Sequence, residues 1–171
     1  MSAFPVFTNL STTVQASYPA PAANRWAHSP FQWIAQAHSG RKGAIGKRLV
    51  RGWAEGEGLL VLGKSSRGHD FRVNGHRVVV KLSLIWDDGR FVFQQIKDQP
   101  YDMAALLALE SRRARLWILP KNVLWRHAAP QHTGRGGQDT KWLHFPATRP
   151  PAWLTSGYGR GTLPRARRAL K

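Results

Sequence analysis

The run Arg77-Val78-Val79-Val80-Lys81-Leu82-Ser83-Leu84-Ile85 constrains the fold more than any other stretch of this chain. Side chains of an extended segment alternate between two faces, so Val78, Val80, Leu82 and Leu84 form one wholly apolar face. Val79, Lys81, Ser83 and Ile85 share the other. A β-branched run of this kind reads as a strand with at least one face in the core. The turn signal Asp87-Asp88-Gly89 follows, and then Arg90–Ile96, so the two strands are predicted to pair as an antiparallel hairpin. Lys81 stands alone between apolar neighbours, and its ammonium needs an acceptor or a route to water. Asp70, across the tight-turn signal Asn74-Gly75, is its predicted partner.

The flanking segments supply helices and further strands. Ser29-Pro30 reads as an N-cap followed by proline at the first helical position, opening a short helix through Phe31, Trp33 and Ile34 that Gly40 ends. A second helix is predicted over residues 43–55, with Ile45, Leu49 and Trp53 towards the core. Leu59–Leu62 reads as a short buried strand. A third helix is predicted over Tyr101–Ser111, and Arg115–Leu119 reads as a buried strand ended by Pro120. The expected fold class is α/β or α+β, a mixed central sheet with a prominent antiparallel hairpin flanked by helices. The expected organisation is a flexible Ser/Thr/Ala/Pro-rich arm at 1–28, one domain at 29–155 and a solvated basic tail at 156–171.

Charge narrows the partner. The chain of 171 residues holds 26 Lys and Arg against 9 Asp and Glu, a formal net charge of +17. The acids fall mostly in the middle, so a near-neutral core is flanked by two basic arms. Such a surface attracts polyanions and releases their counterions on contact. The sequence has no cysteine, which excludes disulfides and thiolate zinc sites and fits a reducing compartment. None of the seven histidines shows zinc-ligand spacing. With no apolar run near membrane-spanning length and no secretory signal pattern, a cytoplasmic protein is expected, nucleoid-associated if bacterial.

The stretches His69-Asp70, Val79-Val80-Lys81-Leu82-Ser83, Trp86, Phe93-Gln94-Gln95-Ile96-Lys97-Asp98-Gln99 and Tyr101-Asp102 together resemble the PD-(D/E)XK nuclease superfamily. The likeness is to small restriction-endonuclease-like proteins and mismatch-repair nicking nucleases, and it covers roughly residues 30–155. It implies a restriction-endonuclease-like fold and a magnesium-dependent phosphodiesterase centre. There Asp70 would hold the metal and Lys81 would position water and phosphate. Two departures weaken that centre. The acid expected two residues before the lysine is Val79. The early-helix glutamate has its counterpart at Lys47, in Gly46-Lys47-Arg48-Leu49. Asp70 between Lys47 and Lys81 would attract a phosphate and repel a divalent cation. If the scaffold is a decayed nuclease, Val79→Glu with Lys47→Glu would restore metal binding.

Other residues are candidates for nucleic-acid contact. Arg48 and Arg51 lie off the apolar stripe of the second helix. His69 adjoins Asp70, and Gln94 and Gln95 could read adenine edges. Lys97, Arg135 and Lys141 suit phosphate, and Gln131 and His132 lead into the Gly134–Gly137 loop. Trp33, Trp53, Trp86 and Trp117 read as core residues. Trp125, Trp142 and Trp153 could stack on bases of a single strand or anchor loops.

Three readings stay open. The first is a DNA-binding protein with a degenerate metal centre and no cofactor. The second is an active magnesium-dependent DNA endonuclease with Asp70 and Lys81 as catalytic residues and a relocated acid such as Glu57, Asp98 or Asp102. The third is an RNA-binding ribonucleoprotein component. Nuclease-like proteins of this size often act as two-fold dimers, so a homodimer or a partner protein stays open beside the nucleic acid, and no membrane is expected.

Overall fold

The computed structural model describes residues 25–63, 68–131 and 140–171. The expectations for a mobile arm over most of 1–28, for His132 and Arg135, and for the Gly134–Gly137 loop lie outside these residues. The elements in chain order are α1 (Gln32–Gln36), α2 (Ser39–Gly56), β1 (Val61–Leu62), β2 (Phe71–Val73), β3 (His76–Leu84), β4 (Arg90–Lys97), β5 (Met103–Glu110) and β6 (Arg113–Pro120). There follow α3 (Lys121–His127), β7 (Ala129–Pro130), β8 (Thr140–Pro146), α4 (Ala152–Tyr158) and α5 (Leu163–Arg168). None of the described helices is long and apolar enough to cross a membrane.

A mixed five-stranded sheet, ordered β1-β2-β3-β5-β6, divides the interior. Strand β3 runs antiparallel to β2 and parallel to β5. On one side of this sheet Val78 and Val80 meet Ile34 of α1, Val50 and Ala54 of α2, and Ala166 of α5. On the other, Val79 meets Phe91, Phe93 and Ile96 of β4 and Phe145 of β8. The two-faced reading of β3 therefore holds. The class is α+β, with a mixed sheet and antiparallel strands flanked by helices.

Several expectations change. Strands β3 and β4 do not form a hairpin: β5 pairs along one edge of β3, β2 takes the other edge only at His76–Val78, and β4 pairs with β8 in a separate three-stranded sheet ordered β4-β8-β7. Only the connection remains tight, with Trp86 N–H donating to Arg90 O at 2.9 Å. The sheets are tied where Ser83 Oγ accepts Val92 N–H at 2.8 Å.

The segment expected as a third helix is strand β5. Its Ala- and Leu-rich sequence favours a helix intrinsically, yet Ala104–Leu109 are all buried between β3 and β6. A strand covered on both faces reads as a continuous apolar run, and packing overrides propensity. The Leu59–Leu62 segment is not buried throughout: Leu59 is, but Leu60 and Leu62 are exposed at the sheet edge.

Helix α2 is longer than expected, and its buried stripe is Gly46, Val50 and Ala54, one residue away from Ile45, Leu49 and Trp53. Gly46 explains the rotation. A Cβ there would stand 2.8 Å from Leu82 Cβ, so the helix rests on β3 along its glycine. The stretch read as a solvated tail also belongs to the packed body, because Ala166 and Leu170 are buried. Its entry loop covers the β6 edge, where Leu116 N–H donates to Gly161 O at 3.0 Å. A Cβ on Gly161 would collide with Arg115 and Trp117.

Candidate functional site

Helix α2, strand β3 and strand β4 enclose an open groove of about 1020 Å³. Its α2 wall carries Ser39, Gly40, Lys42, Gly43 and Lys47; its floor follows β3 from Val80 to Leu84 and continues to Ile85; Gln94 and Gln95 of β4 form the opposite wall. Gly43 adds no bulk, and a Cβ there would meet nothing within 4 Å.

At one end three of the sequence candidates converge. Asp70, only 7% exposed, lies just ahead of β2. Its Oδ2 accepts Val80 N–H at 2.7 Å, and its Oδ1 stands 2.7 Å from Lys47 Nζ. Lys47 remains 41% exposed in its side chain, so the pair opens onto solvent. Lys81 was expected to pair with Asp70, but its Nζ instead donates to the backbone O of Gln95 at 2.5 Å. That carbonyl is presented by a β-bulge: the β4–β8 register shifts between Phe93 and Ile96, and Gln95 adopts φ 52°. The Gln95 N–H, lost from the ladder, donates to Gln131 Oε1 at 2.7 Å. A break of this kind is how a bulge re-aims backbone groups.

The electrostatics follow from this packing. Burial of Lys81 in the strand face lowers its pKa to about 8; Asp70 works against the shift, and the like charges of Lys47 and Lys97 add to it. Two ammonium groups thus flank one carboxylate, and Lys42 brings a further cation to the same wall.

The other candidates fall elsewhere. Arg48 is exposed, and Arg51 bonds Glu55 and Gly63 O. Gln94 is exposed in the groove, while the side chain of Gln131 is used in holding the bulge. Lys97 is exposed at the end of β4. Lys141 is engaged by Trp125, donating to its backbone O at 2.9 Å and lying 4.1 Å from its ring centre. His69 precedes Asp70 and is partly buried. Of the tryptophans read as base platforms, Trp153 stacks on His127 at 4.0 Å and Trp142 meets His144 edge-on.

The sequence reading missed Ser39, Lys42 and Gly43 as groove residues and placed Trp86 in the core. Trp86 is 45% exposed and lines the groove at the end away from Asp70. One signal was available: Trp86 directly precedes two acids and a turn, beyond the apolar alternation of β3.

No family model matches the sequence, and no curated protein matches it. Among solved structures, the chain is similar to a bacterial homing endonuclease, I-Ssp6803I, at 17% identity; the match covers 72% of this chain and 88% of that one, with a TM-score of 0.46.

Proposed function

We propose that this chain binds DNA through the α2–β3–β4 groove and does not cleave it, on a scaffold of the PD-(D/E)XK kind whose metal centre is replaced by an ion pair. The observation that carries the reading is the double engagement of Asp70, one oxygen on the Lys47 ammonium and the other on Val80 N–H. Magnesium requires near-octahedral oxygen ligands, commonly with one or two carboxylates. The residues at this place do not fit it, since the one acid there is neutralised by the cation beside it.

Acids that could have moved in are held elsewhere. Glu55 pairs with Arg51, Glu57 with Arg167, Asp98 with Lys121 and Asp102 with Arg77. The side chain of Val79, at the position of the missing acid, packs between the two sheets. What the Lys47–Lys81 end of the groove offers is a surplus of ammonium over carboxylate, from Lys42, Lys47 and Lys81 against Asp70. That suits a phosphodiester, and the overall charge of +17 supports affinity for its polyanion.

The test combines binding with cleavage. Labelled DNA should bind with a chelator at least as tightly as with magnesium, and affinity should fall steeply with salt. Plasmid incubated with the protein and magnesium or manganese should stay intact. Metal-dependent nicking that Asp70→Ala abolishes would overturn the reading. A clear preference for RNA over DNA at equal salt would overturn the DNA assignment.

A further inference from the structure

Resting on the phosphate-binding reading of the Lys47–Lys81 end, we propose that the groove holds one unpaired DNA strand, with a base stacked on Trp86 at its other end. The groove is electrically polar along its length. Lys42, Lys47 and Lys81 line one part, whereas Asp87 and Asp88 lie beside Trp86. Phosphate is favoured at the first end; at the second, Arg25 and Arg90 offset Asp87 and Asp88, so no surplus of cations draws it there. The second end offers apolar surface instead, from Ile85, Trp86 and Trp26.

The backbone of Trp86 is anchored. Its N–H donates to Arg90 O at 2.9 Å, and its carbonyl accepts Gly89 N–H at 2.9 Å. The same carbonyl accepts from Arg25 Nη1 at 2.6 Å. Asp88 is occupied by Arg90 at 2.6 Å, which secures the turn. The indole is therefore carried on an anchored backbone, which limits the ordering cost of stacking to that of its side chain.

From Lys81 to Trp86 the chain spans about 17 Å at strand rise. A ligand bridging the two must carry phosphate at one place and an uncovered aromatic face at another. Unpaired DNA has both. In a duplex the base faces are stacked inside, and only edges and backbone reach the protein.

The experiment is fluorescence anisotropy on the full chain, using a labelled oligothymidylate, its duplex with oligoadenylate and an abasic strand of equal length. Single-strand affinity should exceed duplex affinity, and the abasic strand should bind about ten-fold more weakly than oligothymidylate. Trp86→Ala should lower the ratio of single-strand to duplex affinity by about ten-fold, and Trp86→Phe should restore most of it. The abasic comparison uses unaltered protein, so it stands even if Trp86→Ala folds poorly. Equal binding of abasic and base-bearing strands, preference for duplex, or preference for an RNA strand would overturn the proposal. If Lys81→Gln weakens binding while Trp86→Ala leaves the ratio unchanged, the stacking proposal fails and the phosphate reading stands. If neither substitution matters, the phosphate reading fails as well.

Discussion

Lys47 Nζ lies 2.7 Å from Oδ1 of Asp70, so the early-helix cation and the acid before β2 form one unit across two elements. Replacing Asp70 by Asn tests what that unit is for. The amide oxygen can still accept Val80 N–H, but the negative charge is gone and Lys47 loses its counter-ion. Stability is expected to fall by about 1–3 kcal/mol, the usual range for weakening a buried charge-assisted hydrogen bond. DNA affinity is expected to rise several-fold, because Lys47 is then free to neutralise phosphate and the negative charge near it and Lys81 is gone. The slope of log affinity against log salt should steepen by up to about one further counterion. Salt titrations of wild type and Asp70→Asn check this; weaker binding by the variant would contradict it.

The lysine of β3 makes binding depend on pH. Its pKa is lowered to about 8 by burial, with Asp70 opposing the shift and Lys47 and Lys97 reinforcing it. An unfolded lysine stays charged to about pH 10.4. Between about pH 8 and pH 10.4 the unfolded chain therefore holds more protons at this group than the folded one, and its contribution to stability rises with pH. Below that window both states are protonated and the dependence from Lys81 disappears. Binding should run the opposite way, weakening as the ammonium is lost above about pH 8. Lys81→Arg, charged throughout, should remove that step from the binding profile. A wild-type profile flat between about pH 7 and pH 9 would refute the assignment.

Much of this architecture was legible because β3 alternates cleanly, and the faces of Val78 and Val79 follow from that pattern alone. Helix α2 was legible in type but not in rotation, since glycine at 46 marks its contact face by lacking a side chain. Strand β5 was not legible, because six consecutive buried positions erase the alternation that distinguishes strand from helix. At the site, Asp70 and Lys81 were legible from the strand pattern, and Lys47 came from the resemblance to the nuclease superfamily. The acceptor of Lys81 could not be, because the Gln95 carbonyl is aimed by a bulge that Gln131 stabilises from 36 residues away.

Val79→Glu together with Lys47→Glu was the sequence-based route to restoring metal binding, and the packing of Val79 argues against its first half. Val79 packs against the aromatic cluster of Phe91, Phe93 and Phe145. A carboxylate there would lose water without gaining a partner, at a cost of several kcal/mol, or stay protonated. Urea denaturation should show a large loss of stability. Calorimetry of the folded fraction with manganese should show no new binding. Appearance of a manganese site in Val79→Glu would mean that the strand can turn this residue into the groove.

The C-terminal helix offers a test of whether its basic residues form a tail or part of the core. Leu170 is 1% exposed, and its carbonyl accepts Asn74 Nδ2 at 3.0 Å. Arg167 reaches back to Glu57. Removing a solvated tail would change salt-dependent affinity alone. Leu170→Ala instead opens a cavity in the buried cluster it shares with Val78 and Ala166 and is expected to cost about 2–5 kcal/mol. The exposed Arg168→Ala should change stability by less than about 0.5 kcal/mol while reducing affinity for DNA at low salt. The contrast separates the two roles, because one substitution acts through packing and the other through charge. Matching urea midpoints for Leu170→Ala and wild type would return the segment to the status of a tail.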